Sequence, residues 1–168
     1  LTSISGGVTA SFSYDALGRR ISKTINSVTT SYLYDGNDIV QEIGGSAVGA
    51  SYVRALSIDE PFVRQTSTGN EFYHVDALGS TLDLTNQTGA VQASYHYEAF
   101  GKTTMTGTSS NPFQYTGREN DGTGLYYYRA RFYSPTMHRF LREDPINFHN
   151  PDGDVNFYLY GLNNPVNF

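Results

Sequence analysis

The residues with the widest chemical repertoire are four histidines, an oxygen-rich run near the C-terminus, a glycine-flanked serine and an arginine-threaded aromatic run. His74, His96, His138 and His149 lack the i, i+4 spacing, with an acid between, that puts two imidazoles and a base on one helical face. Neither a metal nor a general-base role is expected of them. Asn150-Pro151-Asp152-Gly153-Asp154-Val155-Asn156 places oxygen side chains at alternate positions, as a calcium loop begins. Its sixth position is Val155 rather than Gly, and no Glu closes a twelve-residue loop, so a Gly-containing turn is the better reading. Ser46, in Gly44-Gly45-Ser46-Ala47-Val48-Gly49, misses the spacing of a nucleophile elbow by one residue. Arg131 could hold a carboxylate, but among so many rings an arginine more often stacks or pairs on a sheet. The tyrosines could form platforms for sugars, though rings at alternating spacing more often stabilise a sheet as cross-strand pairs. No cofactor and no metal are expected.

The elements that must carry these residues are strands. The chain has 168 residues, 14 Tyr, 10 Phe, 17 Gly and only 16% charged side chains, a composition that suits pleated sheet and opposes helical bundles, coiled coils and disorder. Val28, Thr30, Tyr32 and Tyr34 share one face of a strand. Over Leu125 to Tyr133, Tyr126, Tyr128, Ala130 and Phe132 are expected on a core face, with Tyr127, Arg129, Arg131 and Tyr133 opposite. On that reading Tyr128→Ala should destabilise more than Tyr127→Ala. Turn signals separate the strands at Asp35-Gly36-Asn37, Gly44-Gly45, Thr68-Gly69-Asn70, Thr88-Gly89 and Asp121-Gly122. Ser134 to Leu141, with Pro135 at a helix start, predicts one or two helical turns.

A net charge of -5 with no basic stripe makes duplex nucleic acid an unexpected partner. The absence of cysteine excludes disulfide frameworks, zinc knuckles and thiol nucleophiles. No apolar run reaches spanning length. The first residues, Leu1 to Gly7, have no Met and no signal-peptide pattern, so a processed product or a segment of a longer chain is expected.

A tyrosine, an acid and a glycine recur together. The copies are Tyr14-Asp15-Ala16-Leu17-Gly18-Arg19-Arg20, Tyr32-Leu33-Tyr34-Asp35-Gly36, His74-Val75-Asp76-Ala77-Leu78-Gly79 and Tyr95-His96-Tyr97-Glu98-Ala99-Phe100-Gly101. The acids step by 35-15 = 20 and 98-76 = 22, a period that fits two short strands and two turns. The Asp can cap its own turn by accepting a backbone N–H, and the Gly can supply a positive φ.

These repeats, with Tyr115-Thr116-Gly117-Arg118 through Arg129-Ala130-Arg131-Phe132-Tyr133-Ser134-Pro135, Arg139-Phe140-Leu141-Arg142-Glu143-Asp144-Pro145-Ile146, and Asn156-Phe157-Tyr158-Leu159-Tyr160-Gly161-Leu162-Asn163-Asn164-Pro165-Val166-Asn167, resemble the RHS or YD-repeat family and its terminal RHS-associated core. The resemblance implies an all-β chain of antiparallel hairpin repeats with little helix, forming a curved ribbon or partial shell like those of toxin-complex C components and teneurins. It implies a YD-repeat ribbon over residues 1–110, continuous with a core-like region over 111–168. Several relatives cut their chain beyond the core in an aspartyl-protease-like reaction. Their first Asp-Pro-x-Gly lands on Asp144-Pro145-Ile146-Asn147, with Asn147 in place of Gly, and their upstream arginine lands on Arg131. Two carboxylates sharing a proton let one act as acid and the other as base. The second Asp-Pro would follow Asn167, and the sequence stops at Phe168, so self-cleavage is expected only with a downstream Asp. Without it, Asp144 reads as the start of an Asp-Pro turn.

The expected function is structural: a shell segment or surface assembly in toxin delivery or adhesion, secreted or on the cell surface. Its partners would be the rest of a longer chain or other copies of itself. A short ribbon with two open edges could also polymerise into an extracellular filament.

Overall fold

The computed structural model describes residues 1–145 and 156–166. The Asn150–Val155 run, His149, the Ile146-Asn147 half of the Asp-Pro motif and Asn167 lie outside the described residues.

Eleven strands follow one another in one antiparallel sheet, each paired with its sequence neighbour. They are β1 (Ser3–Ile4), β2 (Ala10–Tyr14), β3 (Arg20–Ile25), β4 (Val28–Asp35), β5 (Asp38–Gly44), β6 (Ala47–Arg54), β7 (Pro61–Thr66), β8 (Gly69–Val75), β9 (Thr81–Thr85), β10 (Val91–Tyr97) and β11 (Thr103–Gly107). The sequence reading of an all-β ribbon of antiparallel hairpins holds, and the sheets do not close into a barrel. Alternation decides its two faces. Ala10, Phe12, Tyr32, Ile39, Ala50, Tyr52, Leu84, Ala93 and Tyr95 are buried on one. Leu33, Val53, Leu82 and Val91 are exposed on the other.

The twenty-residue period has a backbone cause. The ladder slips by one residue just before a turn, at Tyr14, Tyr34, Arg54 and Val75. The steps are 34-14 = 20, 54-34 = 20 and 75-54 = 21. Such bulges bend the strand and increase its twist, so spacing them regularly along one edge curves the ribbon. The copy at Arg54-Ala55 keeps the bulge without the Tyr-Asp residues and is invisible in the sequence.

The turns close as their chemistry requires. Asp15 Oδ1 accepts the N–H of Leu17 and of Arg19, each at 2.9 Å, and Gly18 N–H donates to the Asp15 carbonyl at 3.0 Å. Asp76 repeats this with Leu78, Ser80 and Gly79. Asn86, just before the Thr88-Gly89 turn signal, does the same with Thr88, Ala90 and Gly89. Asp35 differs: it pairs with Asp38 across a two-residue turn, Gly36-Asn37. Glycine is needed at position 101. Its φ is +80°, and a Cβ there would lie 2.3 Å from the Tyr115 ring.

After β11 the chain returns across the buried face. Thr81 and Ser80 receive it: Thr81 Oγ1 donates to the Phe113 carbonyl at 2.8 Å, and Thr116 N–H donates to Ser80 Oγ at 3.0 Å. A second antiparallel sheet follows, built from β12 (Glu119–Asn120), β13 (Tyr126–Tyr128), β14 (Arg131–Ser134) and β15 (Arg139–Phe140). Its two sides are both covered. Tyr127 and Phe132 pack with Ala10 and Phe12 of β2. Tyr126, Tyr133 and Phe140 pack with Tyr115 and Tyr160, against Tyr97 and Phe100 from β10 and its turn. The small sheet thus spans the curve, joining the ribbon's early and late strands.

Two sequence expectations are corrected here. Leu125 to Tyr133 is not one strand. Arg129-Ala130 forms a hairpin turn, with Arg129 at φ +55°, which pairs Tyr127 with Phe132 and Tyr126 with Tyr133. Tyr127 is 2% exposed, so the expected contrast with Tyr128 loses its basis. Ser134 to Leu141 is not helical. Residues 135–138 form a turn, and Phe140 returns opposite Tyr133, the rings 5.6 Å apart. Cross-strand ring packing outweighs the helix-start preference of Pro135.

Candidate functional site

Arg131 opens β14, and Asp144 follows β15 by four residues. The hairpin between them brings the two together: Arg131 Nη2 lies 2.7 Å from Asp144 Oδ2. The guanidinium is stacked over the Phe140 ring, with Cζ 3.6 Å from its centroid. Asp144 N–H donates to the Phe157 carbonyl at 3.0 Å, and Arg131 Nη1 reaches the same oxygen at 3.4 Å. Burial lowers the Arg131 pKa below its ordinary value, with attraction to Asp144 opposing it. An arginine remains protonated under either influence. The arrangement holds a carboxylate beside a fixed cation, in a loop pinned at Phe157. That geometry supplies one carboxylate. Acid–base work by a proton-sharing pair needs another. The neighbouring Glu143 accepts from Tyr158 at 3.2 Å.

The repeat residues singled out in the sequence have structural partners. Tyr14 donates to the Leu1 carbonyl at 2.6 Å, Tyr34 to the Arg20 carbonyl at 3.0 Å and Tyr97 to the Thr81 carbonyl at 2.6 Å. Asp15 binds Arg19 at 2.8 Å, and Arg19 donates onward to the Gly36 carbonyl at 2.7 Å, tying one Tyr-Asp turn to the next. The hydrogen bond from Arg19 holds the Asp15 carboxyl below its ordinary pKa. Gly18, Gly36, Gly79 and Gly101 all take positive φ. His138 stacks on Phe100 at 4.2 Å, and His74 meets Thr85 at 3.0 Å. Among the described residues no cluster of His, Cys, Asp or Glu could hold a metal.

Sequence reasoning missed two charge clusters. In the first, Arg20 and Asp121 form an ion pair with both side chains fully buried, joined by Lys23 at 2.9 Å from Asp121 and Glu119 at 3.9 Å from Arg20. The Arg20 guanidinium also lies 4.1 Å from the Tyr127 ring centroid. In the second, Asp59 accepts from Arg129 at 2.6 Å and 3.1 Å and pairs with Arg118 at 2.9 Å. No spacing rule marks Asp59, whose partners lie some sixty to seventy residues away; only the run of arginines at 118, 129 and 131 hinted at ion pairing.

No protein-family model matches the chain. It is 38% identical over 166 residues to the tRNA nuclease WapA of Bacillus subtilis (strain 168), covering 94% of this chain and 7% of that protein. It is 30% identical over 197 residues to the double-stranded DNA deaminase toxin A of Burkholderia cenocepacia (strain H111), covering 95% of this chain and 13% of that one. In the crystal structure of TcdB2-TccC3, 95% of the chain superposes on 9% of the solved chain, with a TM-score of 0.73 and 21% identity. The chain belongs to the RHS, or YD-repeat, family. At 21% identity the TcdB2-TccC3 likeness shows the fold alone, and that fold is the RHS shell fold. The RHS chain spans only 7% to 13% of these two relatives, so the nuclease and deaminase activities in their names are those of the much longer proteins. They also mean that the acidic charge does not exclude nucleic acid as a partner of a longer RHS protein. No helix of the described RHS residues is long and apolar enough to cross a membrane.

Proposed function

We propose that this chain is a wall segment of a hollow RHS shell in a secreted or delivered toxin, residues 1–110 forming the ribbon and 111–168 the core that braces it. One observation carries the reading: the small sheet β12–β15 is buried on both sides against the inner face of the ribbon, from Phe12 to Tyr97. A ribbon with regular bulges makes a curved wall, and an inserted sheet fixes its curvature. The relatives of this type include a deaminase toxin. The outer strands β1 and β11 each keep an edge that no described strand pairs. Such edges pair with other strands. Sedimentation of the 168-residue chain over a wide concentration range is therefore expected to show association. A strictly monomeric, cooperatively folding chain would argue against a wall segment, and long unclosed filaments would argue for a polymer instead.

A second reading, self-cleavage, is favoured by the 2.7 Å Arg131–Asp144 pair. Here Asp144 is one carboxylate of a cleaving pair, Arg131 holds it in place, and the other carboxylate comes from a segment downstream of these residues. Mass spectrometry of a polypeptide extended through a downstream Asp-Pro segment is expected to show a cut that Asp144→Asn abolishes. An undiminished cut in the variant removes Asp144 from the chemistry.

A further inference from the structure

The two ends of the ribbon are built differently. β1, Ser3–Ile4, is two residues long, and shortness is one way an edge strand resists pairing. β11, Thr103–Gly107, has five residues with no charge and no proline, and Thr104 to Gly107 are exposed. A bulge is another device that blunts an edge. The ladder slips that recur at Tyr14, Tyr34, Arg54 and Val75 come due once more in the hairpin of β10 and β11. There the register runs from Ala93–Gly107 to Tyr97–Thr103 without a slip. The strand at the open edge is thus left regular, and the chain beyond it departs to cross the buried face.

The free side of β11 follows from its hydrogen bonds. Glu98 N–H donates to the Lys102 carbonyl at 3.0 Å, and Thr108 N–H donates to the Gln92 carbonyl at 2.9 Å. Both are directly opposed pairs in the β10–β11 register, so the even-numbered residues of β11 are the ones that bond to β10. Alternation turns the N–H and C=O groups of Thr103, Met105 and Gly107 to the other side, where no described strand pairs with them.

We infer that β11 pairs antiparallel with β11 of a second copy of this chain, about a two-fold axis through Met105. The pairing rests on the open edges invoked for the wall segment, and it selects one of them. Its register is self-complementary. Met105 meets its own counterpart and Thr103 meets Gly107, all with their free backbone groups on the joining side. Thr104 stands opposite Thr106, a favourable cross-strand pair. Lys102 stands opposite Thr108, so no like charges face each other across the joint. Met105 lies on the inner face, opposite the buried Tyr95, so the inner faces of both copies stay on the same side of the joined wall. A head-to-tail joint of β11 to β1 would engage two residues instead of five. The assembly therefore closes as a dimer and does not grow as a filament.

The chain has no cysteine, so a single introduced thiol can form a disulfide only between copies. A hydrogen-bonded pair sets its Cα atoms about 5.5 Å apart, within the disulfide range of about 4.4–6.8 Å. Under mild oxidation, Met105→Cys should cross-link to a dimer at least tenfold faster than Leu56→Cys, placed at a fully exposed turn residue. Sedimentation of the 168-residue chain should show a dimer. Met105→Pro removes an edge N–H and leaves the β10 ladder intact, and should raise the dissociation constant at least tenfold. Should that variant fail to fold, Met105→Lys keeps every backbone group and sets two ammonium groups side by side at the axis; it too should dissociate the dimer. Equal cross-linking of Met105→Cys and Leu56→Cys, or association unchanged in Met105→Pro and Met105→Lys, would overturn the β11 joint and leave the wall segment to associate by another edge. A monomeric wild type would overturn the joint and the wall segment together.

Discussion

Asp121→Ala is expected to destabilise the fold by about 3–5 kcal/mol, because it leaves Arg20 and Lys23 facing a vacated site with Arg20 fully buried. Against a domain stability of roughly 5–15 kcal/mol, that is a large loss. Replacing both partners, as in Arg20→Met with Asp121→Leu, is expected to recover much of it, since a buried pair exchanged for apolar side chains is often neutral. The pH dependence follows from two opposed shifts. Burial works to raise the Asp121 pKa, and attraction to Arg20 and Lys23 outweighs it, leaving the value below the ordinary 3.8. Its stabilisation is therefore complete above 3.8 and lost as the pH falls through the lower folded value. Burial raises Glu119 above 4.5 against the attraction of Arg20. As the pH falls from that raised value toward 4.5, the folded form takes up a proton that the unfolded form does not, and stability increases. Urea denaturation of wild type and Asp121→Ala should give a difference that is constant near neutrality and shrinks below pH 3.8. A small difference at neutral pH would mean that the cluster is relaxed or hydrated.

Tyr133→Ala is the second large effect, also about 3–5 kcal/mol. Tyr133 is 0% exposed and lies 4.2 Å from Tyr160, 5.6 Å from Phe140 and 5.7 Å from Tyr128, measured between ring centroids. Its hydroxyl donates to the Phe100 carbonyl at 2.8 Å, on the turn after β10. It therefore joins both sheets and the segment around Tyr160. Tyr133→Phe should lose only that hydrogen bond, about 1 kcal/mol. Tyr127→Ala and Tyr128→Ala should each cost several times more than Val91→Ala on the exposed face, because both sides of the small sheet are covered. Denaturant midpoints decide it. A Tyr133→Ala loss no larger than that of Val91→Ala would mean that the small sheet is not seated as described.

The ribbon was legible because its signals are local. Alternation, glycine at positive φ and an Asp that caps its own turn act within five residues, and Asp15 and Asp76 do what their spacing implies. The small sheet was less legible. Its hairpin turns at Arg129-Ala130, which has neither Gly nor Asn, so in the sequence the aromatic alternation runs straight through. Arg129 is held there by a bidentate pair to Asp59, a residue seventy positions away. Arg20 looks like a solvent-facing half of an Arg-Arg pair, yet the slip at Tyr14 sets it inward toward Asp121, 101 residues later. Long-range pairs of this kind leave no periodic trace. The Arg131–Asp144 pair was found from the family motif, and no spacing would have shown it.

The central claim is that residues 1–140 form one wall, a curved ribbon braced from inside by the small sheet. Cryo-electron microscopy of the native polypeptide that carries this chain tests it most directly. The account predicts a hollow particle with β1–β11 in its wall and β12–β15 seated on the wall's inner face, Tyr127 against Phe12. A ribbon standing outside any enclosure, or a small sheet detached from β2 and β10, would contradict it.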